Sequence, residues 1–141
     1  MAARDPDLVF YFPAAPTSVP VVLSENGGWQ NRVDVRVLAT DPELTNVIGK
    51  FQVIDYINTE LSLRKTFVTY ILEFGSISTE YQFIKPPLFV SPDSSSFRRI
   101  TDGTGRFAIT TGYIYLSVSD VNKEAVRALF YFTRPNILDN I

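Results

Sequence analysis

Asp55 is the carboxylate in this sequence that sits least comfortably. It alternates with Val53 and Ile57 in NVIGKFQVIDYI (residues 46–57), so a strand there sets a charge on an apolar face. A carboxylate so placed must find donors or hold its proton. That makes Asp55 either an acid/base group or one half of an ion pair with an Arg near a strand end. Tyr70 is the second residue of interest, because RKTFVTYILEF (64–74) puts it on one face with Thr66, Val68, Leu72 and Phe74. A phenol among apolar neighbours can donate one hydrogen bond to a bound carbonyl. The remaining acids offer less: Asp41, Asp93, Asp102, Asp120 and Glu124 fall in turn segments, where carboxylates serve turn geometry or solvation. Paired-acid catalysis and metal binding both need carboxylates that converge on one space, and the spacing predicts no such pair.

The residue types that are missing narrow the chemistry further. None of the 141 residues is Cys or His. That removes thiol nucleophiles, Cys/His zinc sites, disulfides, and any triad that uses imidazole as its base. No metal and no cofactor is expected. Thirteen Lys and Arg against 15 Asp and Glu leave a net charge of −2, which gives no basic footprint for nucleic acid. GTGRF (103–107) has the glycines of a phosphate nest but neither the Lys nor the following helix of a phosphate loop, and it fits a β-turn. The acidic start of the chain is unlike a signal peptide, and no apolar run reaches membrane-spanning length. The expectation is a cytoplasmic protein that binds neither nucleic acid nor membrane.

Period-two alternation recurs along the chain and helical periodicity does not, so the fold class is all-β. LVFYF (8–12) and VPVVL (19–23), split by PAAPTSVP, read as an N-terminal arm or edge strands within residues 1–31. ENGGWQ (25–30) is a turn carrying Trp29. In RVDVRVLAT (32–40), Val33, Val35, Val37 and Ala39 are expected inward, with Asp34 and Arg36 outward. Strand 64–74 turns at Gly75-Ser76 into ISTEYQF (77–83), with Ile77, Thr79, Tyr81 and Phe83 on one face. KPPLFVSPDSSS (85–96) is a Pro/Ser-rich connection suited to gating a site. Asp102-Gly103 is expected to turn FRRIT back into one long strand, 105–120, bent at Gly112. AVRALFYFTR (125–134) is the last strand and 135–141 a tail. Seven to nine strands with short hairpins favour a single antiparallel up-and-down barrel of about eight strands, its body spanning 32–134, because closure removes exposed edges.

ITDGTGRFAITTGYIYLSV (100–118) followed by AVRALFYFTR resembles the C-terminal strand pair of the allene oxide cyclase and dirigent barrel group, a calycin-type fold. The matching positions are Gly103, Thr104, Gly105, Phe107, Gly112 and Tyr113. NVIGKFQVID and ILEFGSISTEYQF resemble the upstream strands of the same barrels, so the resemblance covers roughly residues 32–134. Plant dirigent proteins are secreted, whereas small bacterial members are closer to this chain in length. Those members include spirotetronate cyclases that act without a cofactor by intramolecular [4+2] cycloaddition.

The resemblance therefore implies a cofactor-free, Diels–Alder-type cyclase acting on an apolar polyketide-derived polyene. The alternatives are a dirigent-like or hydrophobic-ligand-binding barrel, or an oxide cyclase or isomerase using Asp55 and water. A pericyclic closure needs orientation more than it needs a nucleophile. Tyr70 is the candidate catalytic residue, its hydroxyl polarising the substrate carbonyl. Candidate substrate contacts are Trp29, Phe51, Asp55, Leu72, Tyr81, Phe83, Leu116 and Phe130, drawn from an aromatic set that otherwise simply fills the barrel. The strand through Tyr113 and Tyr115 has two apolar faces, so one is left outside as a homodimer or other self-association surface.

Overall fold

The alternation resolves into nine strands: β1 (Leu8–Pro13), β2 (Val21–Asn26), β3 (Trp29–Ala39), β4 (Val47–Asn58), β5 (Leu63–Leu72), β6 (Gly75–Ile84), β7 (Ser95–Gly105), β8 (Gly112–Val118) and β9 (Ala125–Phe132). They come from a computed structural model that describes residues 4–15, 21–26, 28–58, 60–61, 63–84 and 95–133, with backbone alone at 21–26, 81–84 and 95–96. Residues 85–94, the expected connection, and the tail lie outside the described residues. Neighbouring strands pair antiparallel from β3 through β9, β9 pairs β1, and Tyr11 of β1 meets Ala39 of β3. Eight strands thus close a barrel, and β2 is added to the start of β3. No helix among the described residues is long and apolar enough to cross a membrane.

β1 is a wall strand and not an arm. Its residues pair with β9 from Leu8↔Phe130 to Pro13↔Ala125, and Phe10 and Phe12 are core residues. The neighbouring prolines do not confine it to an edge, because Pro13 stands at the strand end, where a missing N–H costs no ladder bond.

The largest correction concerns β3. Asp34, Arg36 and Leu38 face inward, while Val35 and Val37 are 44% and 39% exposed. The β4 register is the cause: Arg36 stands opposite Phe51 and Asp34 opposite Val53, and directly opposed residues share a face. Phe51 and Val53 are in the core, so the charged set of β3 follows them inside. A register shift between Leu38 and Ala39 brings Ala39 inside as well.

The 105–120 segment is not one strand. β7 runs through Asp102-Gly103 to Gly105, and the chain then coils through successive i→i+3 bonds, Phe107 N to Thr104 O at 3.0 Å, Ala108 N to Gly105 O at 3.2 Å and Thr110 N to Phe107 O at 3.1 Å. The coil folds Phe107 back into the core. β8 starts at Gly112 and sends Ile114 and Leu116 inward, leaving Tyr113 exposed and Tyr115 half-buried. Phe74, expected inward, lies in the β5–β6 turn and is exposed, with the Arg106 guanidinium 5.2 Å from its ring centroid. That turn falls at Glu73-Phe74, and Gly75 already belongs to β6.

Gly112 has φ +147°, a conformation few side-chain-bearing residues adopt, and a Cβ there would sit on the Tyr131 carbonyl of β9. Gly112→Ala should therefore destabilise the barrel by about 1–3 kcal/mol, as overpacking of a closed core does. Urea denaturation checks this, and an unchanged midpoint would show that β8 and β9 are not packed this way.

Candidate functional site

The interior has two zones along the barrel axis. The lower one is aromatic. Phe12 stacks on Phe51 with ring centroids 3.8 Å apart and 8° between planes, while Tyr70 meets Phe130 edge-on at 4.9 Å and Phe51 at 5.3 Å. Edge-to-face and offset pairs of this kind hold rings in fixed orientations. The upper zone, toward the start of β3 and the end of β4, is charged. Every second residue of β3 from Arg32 to Arg36 carries charge, and the adjoining strands β4 and β5 add Asp55 and Arg64, with the Thr66 hydroxyl beside them.

All of these charges except Arg32 are held in two units. Asp55 accepts from Arg64 at both oxygens, Nε to Oδ1 at 2.9 Å and Nη2 to Oδ2 at 2.9 Å, and Oδ1 also accepts from the Thr66 hydroxyl at 2.8 Å. Arg64 and Thr66 lie two residues apart on β5, and Thr66 stands directly opposite Asp55 in the β4–β5 register. The pairing reading of Asp55 is the one the structure supports. In the second unit Arg36 donates from Nε to Asp34 Oδ2 at 2.7 Å and from Nη1 to the Pro13 carbonyl at 2.9 Å, with its guanidinium 5.4 Å from the Phe51 ring centroid. Three polar atoms on β3 are buried with no partner among the described residues: Asn31 Oδ1, and on the inward-facing set Arg32 Nε and Asp34 Oδ1.

Tyr70 lies in the aromatic zone, 1% exposed. Burial pushes its phenol well above the ordinary value of 10.0, and the charge of Arg98 on β7 offsets part of that rise. Arg98 itself stands opposite the inward-facing Ile114 of β8.

The structure gathers Phe51, Tyr70 and Phe130 into the aromatic zone, with Leu116 also buried and Leu72 packed against that core. Trp29 is not in a turn: it begins β3 on the outward-facing set with Asn31 and Val33, and is 37% exposed. It does not join the interior cluster. Tyr81 and Phe83 stand opposite Thr66 and Arg64 in the β5–β6 register, their side chains being outside the described residues. Arg32, Asp34, Arg36, Arg64 and Arg98 are interior groups that alternation alone does not reveal. The available signal was Asp55: a carboxylate on an inward face asks for an inward cation, and Arg64 with Thr66 lies across a short turn from it.

No family model matches the chain, and no curated protein matches it. Solved structures do match. A pterocarpan synthase dirigent protein, PsPTS1, aligns at 19% identity over 88% of this chain and 94% of its own, with TM-score 0.58. A second, GePTS1, aligns at 20% identity over 88% and 87%, with TM-score 0.57. A pyocyanin demethylase aligns at 14% identity over 89% of this chain and 100% of its own, with TM-score 0.55. The chain therefore has the closed antiparallel barrel fold of the dirigent type, here with a charged upper interior.

Asp55→Ala should cost about 3–5 kcal/mol, because it strands the Arg64 guanidinium inside the barrel, whereas Asp55→Leu combined with Arg64→Met should stay within about 1–2 kcal/mol of the parent. Equilibrium denaturation of both variants decides this, and a harmless single substitution would place the pair in water. A fold that favours the neutral phenol contributes stability that is complete below the free-tyrosine value of 10.0 and is lost as pH rises above it. Tyr70→Phe should therefore remove part of the stability loss above that pH. Absorbance titration of the parent should show one of the 7 tyrosines ionising only on unfolding; ionisation of all of them in the folded state would contradict the burial of Tyr70.

Proposed function

We propose that this barrel binds a small, largely apolar molecule between its aromatic floor and its charged upper wall, and directs closure of a ring in it without a cofactor. The observation that carries the reading is the charged face of β3 turned into a closed barrel, directly above stacked rings. Buried charge is costly, and side chains that only filled the barrel would be apolar. An aromatic floor with a few fixed polar groups above it is the usual composition of a small-molecule site.

Catalysis here would rest on orientation and fixed electrostatics. Holding two reacting ends in a productive geometry converts a floppy chain into a near-attack conformer, and guanidiniums aimed at developing oxygen charge stabilise it in a water-poor interior. The names of the structural neighbours, pterocarpan synthase and pyocyanin demethylase, attach the same fold to small organic molecules. The charged wall favours a closure in which an oxygen gains charge, as in a dirigent-like template or an oxide cyclase. The intramolecular [4+2] closure of a polyketide polyene is the second reading, favoured by the Phe12–Phe51–Tyr70–Phe130 floor, which offers shape and no nucleophile.

The test incubates the protein with linear polyene carbonyl compounds and with hydroxylated ring precursors, and reads melting temperature and product mass. A raised melting temperature with a product of unchanged mass and new retention from the polyene set supports cycloaddition, and a product lighter by one water from the hydroxylated precursors supports a polar closure. In either case Tyr70→Phe should slow turnover by about ten- to a hundredfold if its hydroxyl contributes one transition-state hydrogen bond. No shift and no product across both sets would overturn the reading.

A further inference from the structure

The charges inside the upper barrel do not close on themselves. Asp55 is opposite Arg32 in the β3–β4 register, yet both of its oxygens are occupied by Arg64 and Thr66. Arg32 is thus the cation left over among three guanidiniums and two carboxylates, and its Nε is buried without a partner among the described residues. Two residues along the same inner face, Asp34 spends Oδ2 on Arg36 and keeps Oδ1 buried and unpaired. The Asp34 side chain is only 5% exposed. An unpaired buried acceptor and an unpaired buried donor each carry the full desolvation cost of their groups. Here they sit about 6.6–6.8 Å apart along one strand, measured between Cα positions.

Resting on the proposed small-molecule reading, we infer that Arg32 and Asp34 form a specificity pair for a neutral donor–acceptor edge, a lactam or an amide. Its carbonyl would accept from Arg32 Nε and its N–H would donate to Asp34 Oδ1. The two open atoms, one donor and one acceptor, ask for both functions in one ligand, which the simpler ions lack. A carboxylate satisfies Arg32 but meets Asp34 as a like charge, and an ammonium satisfies Asp34 but meets Arg32. A group that both donates and accepts, as an amide edge does, satisfies the two atoms at once without adding a like charge beside Asp34. A ring bearing that edge can also lie over the aromatic floor, which is how one end of the molecule would be fixed while the other reacts.

The experiment measures binding of three flat probes of similar size to the intact protein by calorimetry: 2-quinolone, its N-methyl derivative, and 2-naphthoate. The expected order puts 2-quinolone first, with N-methylation and the carboxylate each weakening binding by about tenfold or more, the scale of one lost hydrogen bond to a charged group. Asp34→Asn and Arg32→Gln should shrink the gap between 2-quinolone and its N-methyl derivative, and the wild-type comparison stands even if a variant fails to fold. Equal binding of the first two probes, or tightest binding of naphthoate, overturns the specificity pair while leaving an aromatic small-molecule site in place. If none of the three binds, the proposed small-molecule reading falls with it.

Discussion

A buried guanidinium stands at the seam where this barrel closes. Arg36 reaches the Pro13 carbonyl at the end of β1, holds the Asp34 carboxylate beside it on β3, and lies against the Phe51 ring of β4. Among the described residues β1 and β3 share one ladder pair, Tyr11 and Ala39. The join between the first and third strands thus includes a charge taken out of water, which is tolerable because it is matched and hydrogen-bonded. The rest of the interior follows from that choice. Once Arg36 faces inward, strand alternation sends Arg32 and Asp34 inward too, and the valines between them outward.

The resulting interior is divided. Beside Arg36, which stands opposite Phe51, the rings of Phe12, Phe51, Tyr70 and Phe130 pack edge to face or stacked, as a core should. Above it, the Asp55–Arg64–Thr66 cluster is self-sufficient in hydrogen bonds, whereas the β3 charges are not. That contrast separates charge that is closed on itself from charge that is not. It also moves the centre of interest from β5, where Tyr70 is, to β3, whose alternating charges had been read as a solvated face.

Much of the fold could be read from residue order: the all-β class, the up-and-down connection and the barrel of about eight strands follow from period-two alternation and short turns, and the structural neighbours share that fold. The faces of β4 and β5 were legible as well, because Phe51, Val53 and Tyr70 leave little choice. β3 was not, for a physical reason. Alternation states which residues share a face but not which face is inside, and the apolar set is the default inward choice. That default failed because the register with β4 is fixed by Phe51 and Val53, and the inward charges found partners. The 105–120 segment misled in a different way. Its alternation continues through Phe107, Ile109 and Thr111, while the glycines at 103 and 105 let the backbone coil and bury Phe107 from a turn. The site residues divide along the same line: the aromatic floor was visible and the charged wall was not.

The orientation of β3 is the claim on which both functional readings rest, and the chain's lack of cysteine makes it directly measurable. Single-cysteine variants Val35→Cys and Val37→Cys would be reacted with a thiol-specific reagent in the folded protein. The account predicts that both thiols react at rates close to those of the unfolded chain, because these positions face outward at 44% and 39% exposure. Thiols that react only on unfolding would put the valines inside, return Asp34 and Arg36 to solvent, and contradict the account.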